Sequence, residues 1–301
     1  MIQLFNEENT VEQMLIHTAQ ENEWEYVAAK DVPRATDSVL VESWLQDALM
    51  RLNPITAEQA ERVIYDLRAI IQSGMVPGGL IQANDQMRKK LFEEKSYPFG
   101  ENGDNINIKF FSDKAEENQC VVTNQWEFPK TSVQGGKRLD LVFLINGIPM
   151  VIGEAKTPVK SAVTWGDGAV DMISYQKSIP EMFVPNIFVF STEGKELQYA
   201  SIGAKLEHWG PWFKDEQRHH GTLKDVDENF AFLMNPQRLI DIYRFFTVFT
   251  ATPSGEKIKI VCRYQQYLDR EAIVQRVIHT LSAGHGPKKG LIWHFQGAGK
   301  S

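Results

Sequence analysis

Between Arg138 and Lys156 the chain sets three charged groups, Asp140, Glu154 and Lys156, within or beside two of its most apolar runs. These are Leu141-Val-Phe-Leu-Ile145 and Ile148-Pro-Met-Val-Ile152, separated only by Asn146-Gly147. Two short apolar runs about an Asn-Gly pair read as neighbouring antiparallel strands. An unpartnered carboxylate is costly to bury, so a strand that keeps one where Val or Ile would pack better uses it for chemistry. Residues two apart on a strand share a face, which puts Glu154 and Lys156 together and turns Ala155 away.

Asp140 must join them from the preceding strand, and this imposes a geometric condition. A two-residue turn at Asn146-Gly147 pairs Ile145 with Ile148 and sets Asp140 opposite Gly153, on the wrong face from Glu154. A three-residue loop, Ile145-Asn146-Gly147, restores the match, as does a bulge at Gly153. One of these two irregularities is therefore expected.

Along the rest of the chain the patterning is α/β. An amphipathic helix starts at Thr10, with Val11, Met14, Leu15 and Ala19 on one side, and a short strand follows at Trp24–Val27. A helix from Ser38 to Asn53-Pro54, one from Thr56 to about Ile71, and a shorter one from about Ala83 to Glu94 form a helical insertion. Strands are expected at Ile106–Phe111 and Cys120–Phe128, with Gly135-Gly136 as punctuation before the opening pair. A helix at about Gly168–Ser178 precedes a hairpin of Asn186–Ser191 and Leu197–Ser201. Residues 209–228 read as an irregular connector whose His219-His220 point apart and are solvated rather than metal-binding. A last helix spans Pro236–Phe249, and Thr250–Glu256 is a turn-rich break. The expected fold is a restriction-endonuclease-like mixed sheet flanked by helices.

Charge and cysteine usage narrow the function. With a net charge of −7, the chain is unsuited to gripping nucleic acid over its whole surface, so DNA contact must be local or supplied by partners. Cys120 and Cys262 lack the spacing of a zinc site or a disulfide framework and read as packing residues. No run is long and apolar enough to span a membrane, and the N-terminus lacks the order of a secretion signal, which gives the expectation of a soluble, cytoplasmic protein without membrane partners.

Asp140 and Glu154 on one face form an all-oxygen site suited to a hard cation, Mg²⁺, with the Ala155 backbone carbonyl and waters as further ligands. Such an ion activates water and offsets phosphate charge, while Lys156 positions the water and stabilises the transition state. The expectation is a metal-dependent DNA nuclease. The competing reading is an ion pair of Asp140 and Lys156 with Glu154 at a strand end.

Taken together, Leu52-Asn-Pro54, Asn124-Gln125, Arg138-Leu-Asp140, Ile145-Asn-Gly-Ile-Pro149, Glu154-Ala-Lys156, Ile179-Pro-Glu-Met-Phe183 and Ile292–Ser301 resemble the PD-(D/E)xK nuclease superfamily, and more narrowly the restriction (R) subunit of type I restriction-modification enzymes. The resemblance implies a subunit that cuts double-stranded DNA and, in its full length, translocates DNA with an ATP-driven helicase-like motor, in complex with modification (M) and specificity (S) subunits. Leu139 stands where the superfamily name has Pro. In the Gln-x-x-x-Tyr element of this family, Asp171 replaces Gln ahead of Tyr175, and Gln176 is one step out of phase; Tyr175 would contact DNA or steady the site. Glu12 matches an additional acidic residue of some members, although a surface charge is the plainer reading.

The chain ends in a strand and phosphate loop, Gly290–Ser301. Gly297 and Gly299 would cradle phosphates, Lys300 would reach the β- and γ-phosphates, and Ser301 would hold Mg²⁺, with Gln266 as an adenine reader. The expected division is a nuclease domain over 1–230 with a helical insertion at about 38–95, a linker over 231–255, and over 256–301 the start of a RecA-like helicase motor that stops at its phosphate loop without ATPase activity. The rivals are a nuclease-helicase of another defence or repair system and a non-catalytic module that docks other subunits. In the multi-subunit reading the isolated chain binds DNA weakly and with steep salt dependence; tight binding near physiological salt, measured by anisotropy across a salt series, would contradict it.

Overall fold

The computed structural model describes residues 10–129, 136–157 and 162–283, with 286 and 289. It opens with helix α1 (Thr10–Glu21) and strand β1 (Glu25–Tyr26), followed by helices α2 (Glu42–Leu52), α3 (Ala57–Ser73) and α4 (Leu80–Phe92). Short strands β2 (Ser96–Tyr97) and β3 (Ile106–Asn107) pair with each other, and then come the long strands β4 (Cys120–Phe128), β5 (Lys137–Ile145) and β6 (Ile148–Ala155). Helices α5 (Trp165–Ser178) and α6 (Pro180–Phe183) cross to β7 (Phe188–Thr192), which is followed by β8 (Leu197–Ser201) and β9 (Gly210–Pro211). The described chain closes with helices α7 (Leu223–Leu233) and α8 (Pro236–Phe245), the hairpin β10 (Thr247–Ala251) and β11 (Lys257–Val261), and helix α9 (Tyr264–Ala283).

Seven strands form one mixed sheet in the order β1-β4-β5-β6-β7-β8-β9. The β1/β4 and β6/β7 pairs are parallel and the other pairs antiparallel, so the expected mixed sheet flanked by helices is present. Its aromatic core is built around Phe143, whose ring meets Trp24 at 5.1 Å, Phe230 of α7 at 5.9 Å and Phe190 of β7 at 6.2 Å. Such pairs add about 0.5–1.5 kcal/mol each beyond the area they bury. Trp24 further ties α1 to α7 by donating its indole N–H to the Met234 carbonyl at 2.7 Å.

The β5–β6 connection corrects the sequence reading. Its turn has two residues, not three: Ile145 pairs with Ile148, and Asn146 (φ 51°) and Gly147 (φ 78°) both take the left-handed conformation of a tight hairpin. A third residue has no room, because the turn is buried under α2. Val41 donates its N–H to the Gly147 carbonyl, and a Cβ on Gly147 would lie 2.4 Å from the Val41 carbonyl oxygen. The Asn146 amide is consumed inside, donating to the Phe110 carbonyl and accepting from the Gln119 N–H.

The register is shifted elsewhere. Leu144 pairs with Pro149 but Phe143 with Val151, leaving Met150 as the extra residue of a bulge. The bulge lies at Pro149-Met150 and not at Gly153, because proline has no N–H for a ladder and is confined to such irregular positions inside a sheet. Beyond it Leu141 faces Gly153, so Asp140 and Glu154 fall opposite each other. Gly153 has its own reason to be glycine, since a Cβ there would lie 2.0 Å from the Phe190 ring.

Other expectations shift as well. The helix expected from Ser38 begins at Glu42, and only Ile106–Asn107 of the expected 106–111 strand pairs. The connector through 228 contains the first half of α7, whose start is a capping box between Thr222 and Asp225. The helix expected over Pro236–Phe249 stops at Phe245, because the β-prone run from Thr247 pairs with β11 while the Thr247 hydroxyl donates to the Ile242 carbonyl. That hairpin packs on β8: the Tyr199 hydroxyl donates to the Cys262 carbonyl at 2.6 Å and the Ser201 hydroxyl to the Lys259 carbonyl at 2.9 Å. Cys120 and Cys262 are buried and unbonded, as packing residues should be. No helix among the described residues is long and apolar enough to cross a membrane.

Gly153→Ala should force the Phe190 ring aside and lower stability by about 1–3 kcal/mol in denaturant unfolding, with Phe190→Leu in the same chain recovering part of the loss. An unchanged midpoint would show that the sheet tolerates a side chain at 153.

Candidate active site

Three elements converge at the end of the β5–β6 ladder. Asp140, on β5, is fixed by the backbone of the opposite strand: its Oδ2 accepts from the Ala155 N–H at 3.0 Å. Glu154, on β6, is 4% exposed, and its Oε1 accepts from Lys156 Nζ at 2.7 Å. Lys156 also donates to Asp171 Oδ2 of α5 at 2.6 Å. Helix α5 approaches this closely because Gly168 has no side chain. A Cβ there would lie 2.2 Å from Ser191 Oγ and 3.1 Å from Glu154 Cγ. The helix is oriented by a capping box between Thr164 and Asp167.

Tyr175, one helical turn beyond Asp171, lines the open end, with Lys137 Nζ 5.1 Å from its ring centre. Together with Gly136 and Arg138 these side chains border an open, polar groove of about 610 Å³. Gln176 faces elsewhere and accepts from the Gly203 N–H, so it takes no part in the groove.

The electrostatics follow from crowding charge into a half-dry place. Burial pushes the Glu154 carboxyl from its usual 4.5 up to about 7, with the Asp140 charge adding to the shift and Lys156 opposing it. Burial also raises Asp140, against the Ala155 N–H and the Lys156 and Arg138 charges, which pull it down. Burial alone would lower the Lys156 ammonium, but its hydrogen bonds to Asp171 and Glu154 outweigh that and hold it above an ordinary lysine. Tyr175 is pushed up to about 12, first by burial and then by the neighbouring carboxylates. Glu154 Oε2 is buried without a hydrogen-bond partner among the described residues.

Glu12 is not the surface charge expected of it. It is 5% exposed, and its two oxygens accept from the side-chain amides of Asn124 (2.5 Å) and Gln125 (2.8 Å) on β4. Gln125 occupies the ladder position opposite Asp140 with a left-handed backbone (φ 55°), which is how adjacent residues of one strand both reach the same carboxylate. Its carboxyl is raised chiefly by burial, with the Asp140 charge contributing. No local sequence pattern distinguishes Glu12; its partners lie more than a hundred residues away.

Among the described residues, no group of three or more His, Cys, Asp or Glu side chains is placed to hold a metal ion. The cation donors here are the facing pair Asp140 and Glu154, and the orphaned, buried Glu154 oxygen with its raised carboxyl is a place where a cation would relieve both repulsion and desolvation. Gln266, the expected adenine reader, has its side-chain oxygen on the Arg263 N–H at the start of α9. Gly297, Gly299, Lys300 and Ser301 lie outside the described residues. His219 and His220 are exposed, as expected of a loop.

The sequence model for the type I restriction enzyme R protein N terminus matches residues 4–208. The chain is similar to the endonuclease subunit of type I restriction enzyme HindI from Haemophilus influenzae, 27% identical over 312 aligned residues that cover 98% of this chain and 29% of that subunit. It is also similar to two proteins of Methanocaldococcus jannaschii named for the endonuclease subunits of type I restriction enzymes. That of MjaIXP is 26% identical over 88% of this chain and 27% of its own length. That of MjaVIIP is 31% identical over 54% of this chain and 16% of its own length. The chain thus spans less than a third of the length of these curated relatives.

A carboxyl raised in the folded state contributes stability that is complete below its unfolded value of 4.5 and lost as pH rises through about 7. Glu154→Gln, which cannot ionise, should therefore match the wild type at pH 4 and below. Without divalent cations it should be more stable by about 1–3 kcal/mol at pH 8. Thermal unfolding at the two pH values checks this; a wild type that is the more stable at pH 8 would show the pocket accepts the charge freely.

Proposed function

The chain belongs to the family of type I restriction enzyme R protein N termini, and from that premise we propose that the groove at the end of β5 and β6 hydrolyses phosphodiester bonds of double-stranded DNA with Mg²⁺. The observation that carries the reading is the facing pair of Asp140 and Glu154, with the Lys156 ammonium on Glu154 and one Glu154 oxygen buried without a partner.

Asp140 and Glu154 would hold the cation. An extended residue presents its N–H and carbonyl on one edge, so the N–H that Ala155 gives to Asp140 supports the Ala155 carbonyl as a third donor. Bound there, Mg²⁺ supplies Lewis-acid polarisation of the phosphate and a water activated at neutral pH.

The roles of the protein's own groups follow from their electrostatics. Lys156, held above an ordinary lysine, stays an ammonium at working pH. It therefore serves as a fixed positive charge beside the phosphate and an orienter of the attacking water rather than as a base. Asp140 is locked by a backbone N–H, so its geometry does not depend on a mobile side chain. Tyr175 and Lys137 at the open end would meet the DNA backbone, with Lys137 and Arg138 as local positive charge on an otherwise acidic chain. Glu12, held by Asn124 and Gln125, adds negative potential that favours a cation near Asp140.

The net charge of −7 supports a division of labour in which modification and specificity subunits hold and select the DNA. The far greater length of the relatives leaves room for the ATP-driven translocating motor that the sequence resemblance implies for a full subunit. The nuclease part would occupy 1–230 with its helical insertion at 38–95, with a linker over 231–255 and the motor beginning over 256–301.

In the assembled complex, Asp140→Ala and Lys156→Ala should each lower Mg²⁺-dependent cleavage by at least about 10²-fold while leaving assembly with the other subunits intact. Cleavage at the wild-type rate by both variants would sink the nuclease reading and leave a docking module.

A further inference from the structure

Glu154 has two claims on it. Its Oε1 accepts from Lys156 Nζ at 2.7 Å, and in the proposed function the same carboxylate turns to a divalent cation. A carboxylate drawn to a dication gives up much of its pull on an ammonium, and the cation itself repels that ammonium. Lys156 sits on a flexible four-carbon stem, so with Glu154 alone it would swing out to solvent when it is needed at the phosphate.

Asp171 stands where a second anchor is required. Its Oδ2 lies 2.6 Å from Lys156 Nζ, and it rides on a helix whose approach is fixed by Gly168 against Glu154 and Ser191. The Asp171 side chain is 42% exposed, and among the described residues its hydrogen bond to Lys156 is the only one it makes. It caps nothing in its own helix, whose N-terminus is served by Thr164 and Asp167. A partly exposed ion pair contributes little to stability, so the fold alone does not account for the placement.

We infer that Asp171 is a positioning residue that holds Lys156 over the groove when a divalent cation engages Glu154. The inference rests on the cation site proposed above. In the metal-free protein Lys156 is shared between two carboxylates; with the cation in place Asp171 keeps it alone.

The test compares wild type, Asp171→Asn and Asp171→Glu by calorimetric titration with Mn²⁺ and by the rate at which an amine-reactive reagent labels Lys156, read by mass spectrometry. Without Mn²⁺ all three should label slowly, because Glu154 still holds the ammonium. With Mn²⁺ saturating, Asp171→Asn should label several-fold faster than wild type and Asp171→Glu should behave as wild type. In the assembled complex Asp171→Asn should lose about 10–100-fold in turnover with an unchanged KM for DNA, and Asp171→Glu should restore it. Equal labelling of wild type and Asp171→Asn with Mn²⁺ bound overturns the inference and leaves the cation site standing. So does an increase of the same size with and without Mn²⁺, which would mark a static ion pair. A wild-type chain that binds no Mn²⁺ overturns the cation site and the inference with it.

Discussion

The extra residue at Met150 decides which side of the sheet every functional group occupies. Side chains on a strand alternate, so moving the register by one residue sends a whole set of them to the opposite face. With the two-residue Asn146-Gly147 turn alone, Asp140 would oppose Gly153. The bulge moves it to Glu154, and the same step puts Gly153 opposite Leu141 and beside Phe190, where only glycine fits. The bulge is held from outside as well, with the Pro149 carbonyl accepting from the Asn186 amide and the Met150 carbonyl from the Ile187 N–H. The site and the aromatic core are thus two faces of one register.

The groove crowds negative charge into a half-dry place. Asp140, Glu154 and Asp171 surround one ammonium, with Glu12 nearby behind β4, and burial raises the first two carboxyls instead of leaving them at ease. A purely structural ion pair would settle into mutual neutralisation with each oxygen satisfied. Here an oxygen of Glu154 is buried and unpaired, a cost of about 1–3 kcal/mol for a neutral group and more for a charged one. This arrangement is the ground for the cation site proposed above, since donors already held together lose little freedom on binding.

Much of this was legible in the chain. The two apolar runs about Asn146-Gly147 gave the hairpin and its charged end, the helical period after Gly168 gave α5, and the parity of the strand demanded an irregularity. The signal for its true position, Pro149, was also present, because a proline inside an apolar strand marks a bulge. Helix α7 was equally readable in Thr222-Leu-Lys-Asp225 followed by Val226, Phe230 and Leu233. Strand β10 was not, because Val248 and Phe249 extend the apolar period of α8 and only pairing with β11 decides their state. The burial of Glu12 depends on amides 112 and 113 positions further along, a contact that no local pattern reveals.

Glu12 also explains a strained backbone. A glutamine with φ of 55° in mid-strand is unfavourable, and β4 holds one opposite Asp140. Its neighbour Asn124 already gives its amide to Glu12 and takes the Tyr26 hydroxyl on its own oxygen. In a regular strand the Gln125 side chain would point to the opposite face, leaving one oxygen of a buried carboxylate without a donor. The left-handed residue brings the second amide round, exchanging local strain for a second hydrogen bond to a group that would otherwise be buried and under-satisfied. It also leaves Asp140 without a regular ladder partner on the β4 side, and the Asp140 carboxylate is ordered from the β6 side, by Ala155. The strained residue and the locked aspartate thus answer the same requirement, that each acidic group gathered here finds its own N–H donor.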